Sequence, residues 1–214
     1  MLSSPSGGGK STIARHLLEA REDVTYSISA TTRPLREGEE RGREYHFLER
    51  REFERRVAAG AFVEWAEYGG HLYGTLRDEV ERGLASGRHV VLDIEVKGAR
   101  QVRERFPGSV QVFVLPPSAA VLVQRLRARN TEDPAEVGRR LAIAAEELLA
   151  AVEYQYVVVN DDMVDAVAQV AAILDVEAQR VPRLTNLHAV IEGLRRDLAG
   201  QRESLRGAGA PGKE

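Results

Sequence analysis

Three runs of almost unbroken apolar residues, 90–94, 110–115 and 156–159, constrain the fold of this chain more than any other feature. A strand with one wet face alternates apolar and polar residues, whereas a strand covered on both faces reads as continuously apolar. Segments 99–106, 119–129, 136–152 and 163–178 carry helical patterning, punctuated by Pro107, Pro116 and Pro117. Parallel neighbours need crossovers of that length, so the pattern predicts an α/β fold with a parallel central sheet. Near the start, Ile13, Leu17 and Leu18 fall at helical spacing and the branched run 24–28 reads as a strand. Thr75 followed by Asp78 gives a capping-box pattern, with Leu76, Val80 and Leu84 marking a helix that ends near Ser86 and Gly87.

The 214 residues suffice for one globular unit with subdomains and a tail. No apolar run approaches the roughly 20 residues needed to cross a bilayer, and no charged leader precedes an apolar stretch. With no cysteine in the chain, a cytoplasmic location without disulfides is expected. Thirty Lys and Arg against thirty-three Asp and Glu give a net charge of −3, which is no footprint for nucleic acid. Any polyanion site must be local. The five histidines show none of the spacings that hold zinc.

Residues Ser4, Pro5, Ser6, Gly7, Gly8, Gly9, Lys10 and Ser11 match the phosphate-loop pattern G-x-x-x-x-G-K-[ST], with Ser4 in place of the first glycine. Glycines let backbone N–H groups curl around phosphate oxygens, and the next helix adds its positive end. Lys10 supplies a mobile charge, Ser11 a magnesium ligand, and Thr12 continues the ATP-binding segment. The expected architecture is therefore a P-loop NTPase fold. The strand before this loop is short, comprising only Met1, Leu2 and Ser3, where about five residues are usual.

A second set follows: Ser29, Arg33, Arg36, Gly38-Glu39, Gly42 and Tyr45, then Glu64 and Tyr73-Gly74-Thr75. This set resembles the signature of the guanylate kinase family, over roughly residues 2 to 180. The resemblance implies transfer of the γ-phosphoryl group of ATP to GMP and dGMP, with Mg2+ as cofactor. It implies that Ser29, Arg33, Arg36, Tyr45 and Tyr73 hold the GMP phosphate and that Glu64 and Thr75 read guanine. The chemistry is consistent with that. Two guanidinium forks and phenol hydroxyls suit a dianion, and a carboxylate accepts from the guanine ring N–H and amine.

Asp93, Ile94, Glu95, Val96, Lys97 and Gly98 resemble the family's acidic pair before a glycine turn, departing from it at Glu95 and Lys97. Asp93 is the expected contact to guanine or to a magnesium-bound water. Arg125, Arg129 and Arg140 resemble arginines of the family lid, and Asn160 its adenine-edge residue. Asp161 and Asp162 are expected to cap the next helix.

The resemblance divides the chain into a core of residues 1–27, 79–118 and 148–180, a GMP-binding region at 28–78 with its own mixed sheet, and a helical lid at 119–147. Residues 181–214 form an amphipathic helical extension with a low-complexity, disordered end. ATP and GMP are the expected partners, with neither nucleic acid nor membrane, and the chain is expected to be a monomer or homodimer. Two other readings stay open: a small P-loop kinase acting on a sugar phosphate, which would not need Glu64 and the Tyr73 set, and a protein-binding module of the same fold, which would not need Lys10 or the lid arginines.

Overall fold

The computed structural model describes residues 1–128 and 134–208. In chain order it begins with β1 (Leu2–Ser3), α1 (Lys10–Ala20), β2 (Val24–Tyr26), β3 (Ala30–Thr31), β4 (His46–Phe47) and α2 (Arg50–Ala58). Next come β5 (Phe62–Tyr68), β6 (His71–Leu76), α3 (Arg77–Ala85), β7 (His89–Val91), α4 (Val96–Arg105) and β8 (Val112–Leu115). The chain continues through α5 (Ala119–Ala128), α6 (Pro134–Leu149), β9 (Tyr156–Val159), α7 (Met163–Ala178) and α8 (Leu187–Ala208).

Residues Met1–Ala172 form one compact unit. In it, β1 pairs in parallel with β8, β8 with β9, and β2 with β7. A parallel bridge between Leu2 and Asp93 joins the two sets, with Leu2 N–H donating to Leu92 O at 2.8 Å and Ile94 N–H to Leu2 O at 3.2 Å. The strand order is therefore β2-β7-β1-β8-β9, the parallel layer expected from the apolar runs. The first strand, short as read from the sequence, sits in the middle of this layer. Helix α4 packs on it because Val96, Ala99 and Val102 fall one turn apart and bury with Leu92, Ile94, Phe113 and Tyr154.

A second sheet, in the order β4-β3-β6-β5, is mixed: β3 and β4 are parallel, while β6 is antiparallel to both β3 and β5. Its own core holds Ala30, Phe53, Phe62, Leu72 and Leu76. Phe53, fully buried on α2, stacks on Phe62 with ring centroids 4.4 Å apart. Truncating such a side chain to alanine typically removes about 3–5 kcal/mol.

Two expectations are corrected here. Thr75 does not cap α3: it lies in β6, Leu76 is the N-cap residue, and no side chain caps that end. Strand β9 is not covered on both faces, since Val157 and Val159 are exposed while Val158 is buried. The cap expected before α7 is present, as Asp162 Oδ1 accepts from the N–H groups of Val164 and Asp165 at 2.8 and 3.0 Å.

The second unit, Ile173–Glu214, contains the end of α7, a 3-10 turn at Val181–Arg183, and α8. Glu177 is buried there and pairs with Arg180 and Arg183 at 3.3 and 3.1 Å. On α8, Val190, Ile191, Leu194 and Leu198 form an exposed apolar row.

Candidate active site

The loop between β1 and α1 turns back on itself, with Gly8 N–H donating to Pro5 O at 2.8 Å and the Ser4 hydroxyl to the same oxygen at 3.0 Å. Gly9 adopts φ 98° and starts α1, and the N–H groups of Thr12 and Ile13 return to its carbonyl. A side chain at this position would place its Cβ 2.2 Å from Asn160 Nδ2, so glycine is required twice over. Asn160, at 1% exposure, donates Nδ2–H to Gly8 O at 2.9 Å. Arg125 donates to Gly8 O at 3.4 Å and to Asn160 O at 3.1 Å. In this geometry Asn160 and Arg125 brace the loop from behind. The Asn160 amide faces the loop, and its buried Oδ1 has no hydrogen-bond partner among the described residues.

A cavity of about 100 Å3 opens on the loop, lined by Ser4, Ser6, Gly7, Gly9, Lys10, Ser11, Tyr68, Glu95 and Arg140. Lys10 Nζ lies 3.0 Å from Glu95 Oε1 and 3.4 Å from Asp93 Oδ1. Burial alone would lower the Lys10 ammonium, but Asp93 and Glu95 outweigh it and hold the group above its usual range. Lys10 is therefore a fixed cation. From α6, Arg140 donates to the Ser6 hydroxyl at 2.8 Å, while Glu147 accepts the Ser6 N–H at 3.1 Å. Burial, reinforced by the negative charge of Glu95, pushes the Glu147 carboxyl up to about 7. Ser11 is exposed in the first turn of α1, and Asp93 Oδ1, buried beside Lys10, has no hydrogen-bond partner among the described residues.

A wider cavity of about 400 Å3 lies on the mixed sheet, lined by Arg33, Pro34, Leu35, Arg36, Tyr68, Gly69, His71 and Tyr73. Arg33, 8% exposed, has its guanidinium 5.2 Å from the Tyr45 ring centroid and 5.4 Å from that of Phe47. Tyr45 and Tyr73 meet edge to face at 6.0 Å. Ser29 stands just before β3, where its carbonyl accepts from His46 N–H at 2.9 Å. Arg36 is exposed. The end-on Nη1/Nη2 edge of Arg33 is not free, because Glu39 accepts from Nη1 and Nη2, both at 2.7 Å.

Glu64 is 5% exposed and receives the Thr75 hydroxyl at 2.6 Å. A register shift between Phe62 and Glu64 in β5 brings Glu64 directly across from Thr75, so this bulge aims the carboxylate. Burial raises its carboxyl above the usual range. Thr75 has one hydroxyl proton and gives it to Glu64 in this structure. On the other side Gly98 of α4 leaves room for Glu64, since a Cβ there would stand 2.3 Å from Oε2.

The family profile described as guanylate kinase matches residues 1–188. This chain belongs to the guanylate kinase family. It is 50% identical over 194 residues to the guanylate kinase of Symbiobacterium thermophilum, covering 91% of each chain. It is 51% identical over 162 residues to that of Rubrobacter xylanophilus, covering 76% of this chain and 85% of the relative. The crystal structure of guanylate kinase from Anaplasma phagocytophilum superposes with a TM-score of 0.74 at 33% identity, covering 90% of this chain and 92% of that one.

Among the residues expected from sequence, Lys10, Ser11, Asp93 and Arg140 gather around the loop cavity, and Arg33, Arg36, Tyr45 and Tyr73 around the other. Arg129 lies outside the described residues. Tyr68 and Glu147 were not foreseen, and Glu39 entered only as part of the signature set, without a role. Tyr68 and Glu147 sit in charged or aromatic stretches that read as solvated surface, and no local spacing marks them. Tyr68 lines both cavities.

Proposed function

We propose that this chain transfers the γ-phosphoryl group of ATP to GMP, and to dGMP, giving ADP and a guanine nucleoside diphosphate. The observation that carries the reading is the shared wall at Tyr68: a phosphate loop and an arginine-lined cavity adjoin across one side chain. Phosphoryl transfer between two nucleotides needs two phosphate sites in that relation, because positioning and charge neutralisation supply most of the catalysis.

In this reading the segment from Ser4 to Thr12 holds the ATP phosphates, braced by Asn160 and Arg125. Ser29, Arg33, Arg36, Tyr45 and Tyr73 hold the GMP phosphate, Glu64 accepts from guanine, and Asp93 contacts guanine or a magnesium-bound water. Lys10, kept cationic by its two carboxylates, neutralises charge on the transferring group, and Arg140 approaches from the other wall. The Ser11 hydroxyl would suit magnesium as a direct ligand, and the Asp93 carboxylate would suit a magnesium-bound water. Bound there with ATP, the ion would offset the negative charge of the phosphates.

Replacing Glu64 with Gln turns one acceptor into a donor facing guanine donors. The preference for GMP over AMP, measured as the ratio of kcat/KM values, should fall by about 1–3 kcal/mol. An unchanged ratio would remove Glu64 from base recognition.

A further inference from the structure

Glu39, one of four acidic residues between Arg33 and Tyr45, has no role in the reading so far. Arg33 carries five N–H donors. Both on Nη1 are engaged, one by Pro34 O at 2.8 Å and one by Glu39 Oε2 at 2.7 Å. One on Nη2 goes to Glu39 Oε1 at 2.7 Å. Removing these three from five leaves two, Nε–H and the second Nη2–H, which have no partner among the described residues. Those two donors are parallel and lie on one edge of the guanidinium plane, so they form an intact two-donor fork for a phosphate or carboxylate.

The same carboxylate also accepts the backbone N–H of Arg36 at 2.9 Å, and Glu39 N–H returns to Arg36 O at 3.2 Å. One side chain thus fixes the orientation of the first arginine and the backbone that carries the second. The rings of Tyr45 and Phe47 hold the guanidinium face, so rotation about its plane is restrained by aromatic contact and in-plane swing by Glu39.

We propose that Glu39 is a positioning residue for the acceptor phosphate: it clamps the end-on edge of Arg33 and leaves the side-on Nε/Nη2 edge as the fork for the GMP phosphate. The inference rests on the reading of Arg33 as a GMP-phosphate ligand and deepens it. Two other roles for the same contact have opposite consequences. A carboxylate that merely occupies the place of the phosphate, or one that stands by, repels an incoming dianion, and its removal would tighten or leave unchanged the binding of GMP. A clamp that preorganises the donors makes its removal weaken GMP.

The test uses the full chain with the variants Glu39→Gln, Glu39→Asp, Arg33→Ala and the double Glu39→Gln/Arg33→Ala, read by steady-state kinetics and by calorimetric titration with GMP and with guanosine. Glu39→Gln should raise the GMP KM and Kd roughly tenfold, with kcat within about twofold and the ATP KM unchanged. Guanosine, which has no phosphate, should bind both proteins equally, and Glu39→Asp should restore part of the loss by restoring the charge. In the Arg33→Ala background the Glu39 change should add nothing further. Tighter or unchanged GMP binding in Glu39→Gln would overturn the clamp, as would an equal loss of ATP and guanosine affinity accompanied by a lower Tm. Arg33→Ala retaining wild-type GMP affinity would instead overturn the phosphate role of Arg33 itself, and the clamp with it.

Discussion

Replacing Gly98 with alanine tests whether α4 sets the position of the guanine-reading carboxylate. The new Cβ would stand 2.3 Å from Glu64 Oε2, 2.9 Å from its Cδ and 3.4 Å from its Cγ. Ordinary contact distances require the carboxylate to retreat by roughly 1 Å. The end of a glutamate is flexible, so steric strain alone is small. Glu64 is only 5% exposed, however, and its move stretches the 2.6 Å bond from Thr75. A hydrogen bond to a charged group contributes about 1.5–3 kcal/mol, while alanine in this first turn of α4 gains at most the roughly 1 kcal/mol over glycine of a helix interior. The loss outweighs the gain, leaving the variant about 0.5–2 kcal/mol less stable and its Tm lower by a few degrees. Denaturant unfolding gives the stability, and initial rates give KM for each substrate. The GMP KM should rise while the ATP KM stays at its wild-type value. A variant more stable by the full helix gain, with an unchanged GMP KM, would refute the idea that Glu64 is held between Thr75 and α4.

Three further outcomes follow from the same geometry. Lys10→Ala should reduce turnover by orders of magnitude with GMP affinity nearly intact by calorimetry, and a matching loss of GMP affinity would mean that the two phosphate sites are not separate. Arg140→Ala removes a donor from Ser6 and from the cavity wall; kcat should fall by about 100-fold or more while Tm barely moves, and wild-type turnover at saturating ATP and GMP would return Arg140 to solvated surface. Glu147 titrates at about 7 in the folded chain against the usual 4.5, so the folded state binds its proton more tightly than the unfolded one does. Its contribution is complete below about pH 4.5 and is lost as pH rises through about 7, so wild-type protein should lose stability over that window relative to Glu147→Gln. Parallel pH–stability curves for the two proteins would contradict this.

The central strands were legible because burial on both faces writes itself into the sequence as an unbroken apolar run. Where only one face is covered, as in β9, the same run misleads, and Val157 and Val159 remain exposed. Helix α2 escaped notice because only Phe53 and Val57 pack it against the core while most of the segment is charged. The β5–β6 hairpin had a readable signal in Gly69-Gly70, whose positive φ angles of 58° and 79° suit a two-residue turn. Thr75 satisfied a local capping pattern, yet strand pairing across from Glu64 decided its position. The phosphate loop was legible because its chemistry is local. The partners of Lys10 were harder, since Asp93 and Glu95 reach it only through the parallel pairing of β1 beside β7. Glu39 and Glu147 belong to the same class: acidic residues in charged stretches whose roles depend on which donor the fold brings to them.

The account stands most directly on which acceptor the enzyme uses. Purified chain, ATP and Mg2+ are incubated with GMP, dGMP, AMP or UMP, and 31P NMR follows the nucleotides formed. The account predicts ADP and GDP appearing together in equal amounts with GMP, a slower reaction with dGMP, and much slower reactions with AMP and UMP. Phosphorylation of AMP or UMP faster than GMP, or ADP formation without GDP, would contradict it.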